Sequence, residues 1–229
     1  MRSANERLWF RQPARYWNSQ VLHLGNGHLG AFSSFGKLLL ETGHDSAPTR
    51  DYLRELDFAT GIGAVEYSVG GVRYKREYLC SNPHRVLAIR IAGDREGSIR
   101  LKTRWSLLHS DQCAEVNGDT LQVTGAVNGN RRRFSITTHI LVEKGTVTAL
   151  ADSLEVDSAN AVVILIAAVT EYRAHAPSYG GADPVAITRA QCDTAAAIGF
   201  DELRSAHISD YQSLYRRVSL SVSRAILAE

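Results

Sequence analysis

Apolar and polar residues alternate with a period of two from Tyr52 to Ile166, which predicts an almost continuous run of short strands. Val65-Glu-Tyr-Ser-Val69 and Val72-Arg-Tyr-Lys-Arg-Glu77 alternate on either side of Gly70-Gly71, the pattern of a tight β-hairpin. Arg85 to Ile91 alternates next, and Gly93-Asp94 with Glu96-Gly97 marks a turn. From Ser98 to Leu107 the alternation puts Ile99, Leu101, Thr103 and Trp105 on one face. Cys113 to Val116 is expected to pair with Thr120 to Thr124 across Asn117-Gly118. Phe134 to Val142 and Gly145 to Ala149 are expected to form a further hairpin around Glu143-Lys144. Ser153 to Val156 and the wholly apolar Ala161 to Ala168 complete the set. Many short strands with regular turn signals indicate a mainly β fold, a sandwich or barrel.

The two ends depart from this pattern. Leu8-Trp9-Phe10 and Tyr16-Trp17 flank Pro13, which suggests an extended segment whose aromatics pack on a sheet. Leu24-Gly-Asn-Gly-His-Leu-Gly30 holds three glycines in six residues and reads as a tight turn. A short strand, Gly36 to Glu41, follows, then a loop of turn formers from Thr42 to Thr49. After Tyr179-Gly180-Gly181, Asp183 can cap and Pro184 can open a helix to about Ile198, which Gly199 ends. A second helix begins at Asp201, with Leu203, His207, Asp210 or Tyr211, and Leu214 along one stripe. That stripe is expected to lie exposed and to favour self-association. Val218 to Val222 reads as a last strand and Ser223 to Glu229 as a tail. The resulting division is a β-sandwich over 1–182 and a helical linker with a terminal strand over 183–229.

Composition narrows the function. With 44% apolar and 22% charged residues the chain can bury a core, and a net charge of +2 gives no reason to expect nucleic acid or an acidic membrane surface. The dense basic run Arg131-Arg132-Arg133 follows Asn128-Gly129-Asn130 and reads as a solvated turn. Cys80, Cys113 and Cys192 are far apart, odd in number and lack CxxC spacing, so reduced thiols are expected rather than a metal site. No apolar h-region follows Met1 to Arg7, so no secretory signal is read and the chain is expected to stay in the cytosol. The run Ala161 to Val169 is about half of a membrane span and reads as a buried strand.

Candidate chemistry is sparse. There is no Gly-x-Ser-x-Gly, P-loop or His-Glu-x-x-His, and Gly25-x-Gly27-x-x-Gly30 precedes a strand rather than a helix. Glycoside hydrolysis by the common routes needs two facing carboxyl groups, for which Glu55, Asp57, Glu66 and Glu77 are the candidates. Glu66 and Glu77 sit in alternating strands beside Arg73 and Lys75, where cross-strand ion pairs are the default. His139, whose neighbours Thr138 and Ile140 face the other way, could serve an epimerase together with a glutamate, but nothing local selects it. No catalytic, cofactor-binding or metal-binding residue is assigned.

The wording of several segments resembles the N-terminal β-domain of glycoside hydrolase family 95, the α-L-fucosidases. Leu8-Trp9-Phe10-x-Gln12-Pro13-Ala14-x-x-Trp17 and Leu24-Gly-Asn-Gly-His-Leu-Gly-Ala31 are similar to that family's opening. Leu38 through Asp57, with Tyr52-Leu-Arg-Glu-Leu-Asp57, resembles the strand, linker and Tyr-x-Arg-Glu-Leu-Asp signature that follow. Tyr67 to Glu77 fits the next hairpin, and His207 to Leu220 looks like the exit from the β-domain. Two departures stand out. Phe32-Ser33-Ser34-Phe35 directly connects elements that a longer stretch separates in the family, an internal deletion near 32–36. The family's (α/α)₆ barrel, which holds its catalytic groups, has no counterpart here.

The resemblance implies a galactose-mutarotase-like β-sandwich (super-sandwich) with a C-terminal helical linker. It also implies a truncated α-L-fucosidase-like protein without activity of its own, related to inverting enzymes that act on fucosylated glycans. A carbohydrate-binding or protein-interaction module is the alternative, with Trp9, Trp17 and Trp105 as the tryptophans that could form a platform. An aldose-epimerase-like enzyme is the third reading.

Overall fold

The computed structural model describes residues 6–16, 22–26, 29, 36–44, 48–109, 111–174 and 177–218. Strands β1 (Arg7–Phe10), β2 (Gly36–Glu41), β3 (Arg50–Asp57), β4 (Ile62–Val69), β5 (Val72–Ser81), β6 (Val86–Gly93) and β7 (Ile99–Leu107) come first. β8 (Cys113–Asn117), β9 (Thr120–Ala126), β10 (Arg133–Glu143), β11 (Thr146–Ala149), β12 (Ser153–Ala159) and β13 (Ala161–Thr170) follow. Helices α1 (Pro184–Ile198) and α2 (Phe200–Tyr215) close the order. A nine-stranded sheet runs β1-β3-β4-β5-β6-β13-β10-β9-β8, and a four-stranded sheet runs β11-β12-β7-β2. Neighbouring strands pair antiparallel throughout. The protein is a β-sandwich, as the alternation predicts.

Alternation sorts the side chains of the large sheet onto two faces. Tyr67, Val69, Val72, Tyr74, Ile89, Ile91, Phe134, Ile136, Val162 and Ile164 face the small sheet, meeting Ile99, Leu101, Leu154 and Val156 in the main core. The opposite, outer face carries a second core of Ile62, Leu79, Val86, Ala88, Leu165 and Ala167, closed by Cys192, Ala195 and Leu203 of the helices. Strand β13 lies between β6 and β10 and is covered on both sides, which accounts for the unbroken apolar run from Ala161.

Local signals set the connections. Gly70 and Gly71, with φ of 59° and 75°, supply the two left-handed positions of the β4–β5 turn. Val127 N and Arg132 O close the β9–β10 turn, so the arginine run is a hairpin tip. Arg131 pairs with Asp111 at 3.7 Å and Arg133 with Glu171 at 2.9 Å. Asp183 Oδ1 accepts the Val185 N–H as the cap of α1, with Pro184 in the first turn.

Beside its apolar contact with the sheet, α1 meets a polar patch on β9 and β10. Gln122 Nε2 donates to Ser135 Oγ and Ile136 O, while Gln122 Oε1 accepts from Thr137 Oγ1 and Arg189 Nε. Thr188 Oγ1 lies 2.8 Å from both Ser135 Oγ and Thr137 Oγ1. A buried network satisfied at every member costs little and fixes one placement of the helix.

Three expectations need correction. Phe134–Val142 and Gly145–Ala149 do not form a hairpin: β10 has β9 and β13 on its two edges, so the chain crosses at Lys144-Gly145 and β11 joins β12 in the other sheet. The stripe of α2 is not left exposed, because Leu203 and His207 are buried against the sandwich and only Leu214, 58% exposed, projects from its far end. The N-terminal aromatics belong to a paired strand, β1, yet Trp9 remains 54% exposed. The proposed strand 218–222 lies outside the described residues from Ser219 onward, and Val218 itself is irregular.

Docking of α2 makes stability depend on pH. His207 Nε2 donates to Thr60 O at 3.0 Å, and Gln212 Nε2 donates to Ala59 O at the same distance. Burial pushes the His207 pKa below its ordinary value, only partly offset by the Thr60, Gly61 and Cys80 carbonyls and by Asp210. A base with a lowered folded-state pKa stabilises the fold fully above its unfolded value, about 6.5, and loses that contribution as pH falls. The melting temperature is therefore expected to fall between pH 7.5 and 5.5 more steeply in the native chain than in His207→Gln. Parallel curves would contradict this placement of His207.

Candidate functional site

The register of the outer face brings the candidate carboxylates into one neighbourhood. Trp9 of β1 is opposite Glu55 of β3, Glu55 is opposite Ala64 of β4, and Ala64 is opposite Glu77 of β5. Glu66 pairs in register with Leu53 on one side and Lys75 on the other. Each of these glutamates is tied to cations. Glu55 Oε2 is 3.2 Å from Arg7, and Glu66 Oε2 is 2.9 Å from Arg73. Glu77 Oε1 is 3.6 Å from Lys75 and 3.5 Å from Arg204 of α2. Asp57 Oδ1 instead accepts the Ala59 N–H at 2.9 Å and shapes the turn after β3. The cross-strand ion pair expected for Glu66 is present with Arg73, whereas Glu77 pairs with Lys75 of its own strand and Arg204 of α2 and is more enclosed than a solvated face implies. Carboxylates held by arginine and lysine accept hydrogen bonds well.

The inner face carries a cluster that the sequence reading did not single out. Arg76 Nη2 donates to Tyr67 OH at 2.6 Å, and Tyr67 OH is hydrogen-bonded with His44 Nδ1 at 3.2 Å. Tyr67 stacks on Tyr74 with ring centroids 5.4 Å apart, and His44 covers Tyr74 at 4.4 Å. Arg54, in register with Val65 and thereby two strands from Arg76, donates from Nε to Gln12 O at 3.0 Å. Burial opposes the charge on Arg76, but the Tyr78 and Tyr67 phenols outweigh it and hold the guanidinium above its ordinary pKa. Burial raises Tyr52, Tyr74 and Tyr78, which keeps these phenols neutral. The signal was available, since Tyr67, Tyr74, Arg76 and Tyr78 share one phase of the β4–β5 alternation.

His139 lies on the face opposite Thr138, as the alternation predicts, with Nε2 3.3 Å from Asp119 Oδ2 and Nδ1 buried without a partner. Its carboxylate neighbour is thus an aspartate in the β8–β9 turn. Asp119 also edges an open cleft of about 730 Å³ walled mainly by apolar side chains of β10 and β11, Ile140 and Val147 among them. The tryptophans do not form a common platform. Trp9 is on the outer face, Trp105 donates to Thr138 Oγ1 at 2.9 Å from the inner face, and Trp17 lies outside the described residues. The same is true of Gly27, Gly30 and the connection Phe32–Phe35.

Cys80 and Cys192 are buried and free, and burial pushes both thiols up to about 12, so neither is a nucleophile near neutral pH. Cys113 is free and exposed. Among the described residues no group of three or more His, Cys, Asp and Glu could hold a metal ion. No described helix is long and apolar enough to cross a membrane.

Comparison with known proteins places these features in context. Residues 31–175 match the family model for the N-terminal domain of glycosyl hydrolase family 65. The chain is 26% identical to alpha-L-fucosidase 2 of Arabidopsis thaliana over 233 residues, covering 90% of this chain and 28% of that protein. Among solved structures, the one titled "Putative kojibiose phosphorylase from human microbiome" superposes with a TM-score of 0.58 at 10% identity. That likeness covers 93% of this chain and 32% of the other and concerns the fold alone. The chain thus spans less than a third of each of these two proteins.

Proposed function

The chain belongs to the family of glycosyl hydrolase family 65 N-terminal domains, and from that premise we propose that it is the β-sandwich domain of an α-L-fucosidase-like enzyme of glycoside hydrolase family 95. The observation that carries this reading is the match to a plant fucosidase along 90% of the chain. The domain acts on fucosylated glycans only together with groups from the part of such enzymes that this chain does not span. Its own carboxylates support that division of labour, because Glu55, Glu66 and Glu77 are committed to ion pairs. An inverting hydrolase needs a protonated acid at the glycosidic oxygen and an activated water across the sugar. The sandwich supplies a rigid support, with the order of an antiparallel core, for residues that do this elsewhere.

The test is a hybrid in which this chain replaces the matching segment of the Arabidopsis fucosidase. Hydrolysis of an aryl α-L-fucoside by the hybrid, within about a hundredfold of the parent enzyme, is the expected result. A hybrid that folds and stays soluble but releases no fucose would overturn the reading.

A further inference from the structure

The helices leave part of the large sheet uncovered. α1 packs on β10 and β13, and α2 packs on β5, where Leu203 also reaches Ile62 of β4 and Arg204 pairs with Glu77, so the helices lie toward the Glu77 end of the outer face and neither makes a principal contact with β1 or β3. On this face the row Trp9, Glu55, Ala64, Glu77 crosses four neighbouring strands in register. Strands lie about 4.8 Å apart, so the row spans roughly 14 Å, the length of a short oligosaccharide. Ala64 makes its middle shallow, because the methyl group is flanked along the row by the longer Glu55 and Glu77. Trp9 stands at one end, 54% exposed, with the Arg11 guanidinium 5.8 Å from its ring centroid.

We propose that this row is a carbohydrate-binding surface for a neutral pyranose oligosaccharide, with Trp9 stacking one sugar ring and the shallow floor at Ala64, beyond Glu55, receiving the next. The proposal rests on the reading of the chain as a domain of a carbohydrate-acting enzyme, and adds a binding site of its own to it. The chemistry matches at both ends. An indole offers an apolar face to the C–H side of a pyranose. The Arg7–Glu55 and Arg73–Glu66 pairs present fixed acceptors and donors to hydroxyl groups. Strand pairing holds all of them in place, so little ordering is needed on binding. A protein partner suits the face less, since Glu55, Glu66, Arg73 and Lys75 would be desolvated at the centre of the contact, where charged groups are depleted. Arg7, Arg73, Lys75 and Arg204 are each paired with one of the three glutamates, so none of these four cations is left free for an acidic sugar.

The experiment is calorimetric titration of the full chain with cellohexaose, xylohexaose, mannohexaose and 2′-fucosyllactose at up to about 10 mM. At least one of the four is expected to bind, with affinity reduced at least about tenfold in Trp9→Ala and lowered in Glu66→Ala. Leu214→Ala, at the exposed end of α2, is expected to bind as the native chain does. Absence of binding by all four would overturn the site, as would binding that Trp9→Ala leaves unchanged. A concentration-dependent dimer dissolved by Trp9→Asp would also overturn it and make the face an interface between copies. Failure here leaves the fucosidase hybrid unaffected, and failure of the hybrid leaves sugar binding at Trp9 intact, so the two readings fall separately.

Discussion

Leu203→Ala is expected to destabilise the protein by about 2–5 kcal/mol, read as a lower urea midpoint with an unchanged slope. Leu203 is fully buried and joins α2 to Ile62, Leu79 and Val86 of the sheet and to Cys192 and Ala195 of α1. This second core is small, so the cavity left by a leucine side chain has few neighbours that can relax into it. Phe200 and Ile208 of α2 are only partly buried at the margin of this core, and the other attachments are polar: His207 and Gln212 donate to the carbonyls of Thr60 and Ala59, and Asn82 donates to Asp210. Hydrogen bonds of that kind contribute about 1 kcal/mol each and do not replace the apolar contact. Leu214→Ala, on the exposed end of the same helix, is expected to stay within about 0.5 kcal/mol of the native chain. Equal effects at the two positions would mean that α2 is not docked through Leu203.

Gly145→Ala is expected to cost about 2–5 kcal/mol for a different reason. Gly145 has a φ of 79° where the chain leaves the large sheet for the small one. A Cβ there would lie 2.6 Å from Asp157 O and 2.7 Å from the Ala159 N and Cα, backbone atoms that cannot turn aside. Strain and collision therefore add. Gly118→Ala separates the two contributions, because Gly118 has a φ of 59° with nothing within 4 Å of the added carbon. It is expected to show the conformational cost alone, about 1–2 kcal/mol. If the two variants melted together, the close approach at the crossing would be refuted.

Most of the fold was legible because its signals are local. Gly70-Gly71, Asn117-Gly118 and the Asp183-Pro184 start of α1 announce turns and a cap within a few residues, and the structure has each of them. Gly145 was misread for the same reason. A glycine between two alternating segments looks like a hairpin turn, whereas the true partners of β10 are β9 and β13, and long-range pairing leaves no local trace. The stripe on α2 was correctly read as apolar, but nothing in the sequence says that Leu203 meets β4, β5 and β6 and His207 the turn after β3 of the same domain. The carboxylates were placed correctly on strand faces, and their ion pairs with Arg73 and Lys75 followed from spacing. Arg7 and Arg204, which complete the set, come from distant segments and were not foreseeable. The row from Trp9 to Glu77 needed the full register, because β1 reaches β3 only after the chain has built β2.

The central claim is that this domain belongs to an enzyme that hydrolyses fucosides yet has no such chemistry alone. Incubation of the purified chain with an aryl α-L-fucoside and with 2′-fucosylated oligosaccharides tests it most directly. Loss of either the acid or the water-activating group costs orders of magnitude in rate, and the described glutamates of the outer face are held in ion pairs. No release of fucose above the uncatalysed background is predicted. Turnover by the native chain that Glu66→Gln or Glu77→Gln abolishes would contradict the account and place an active site on the sandwich itself.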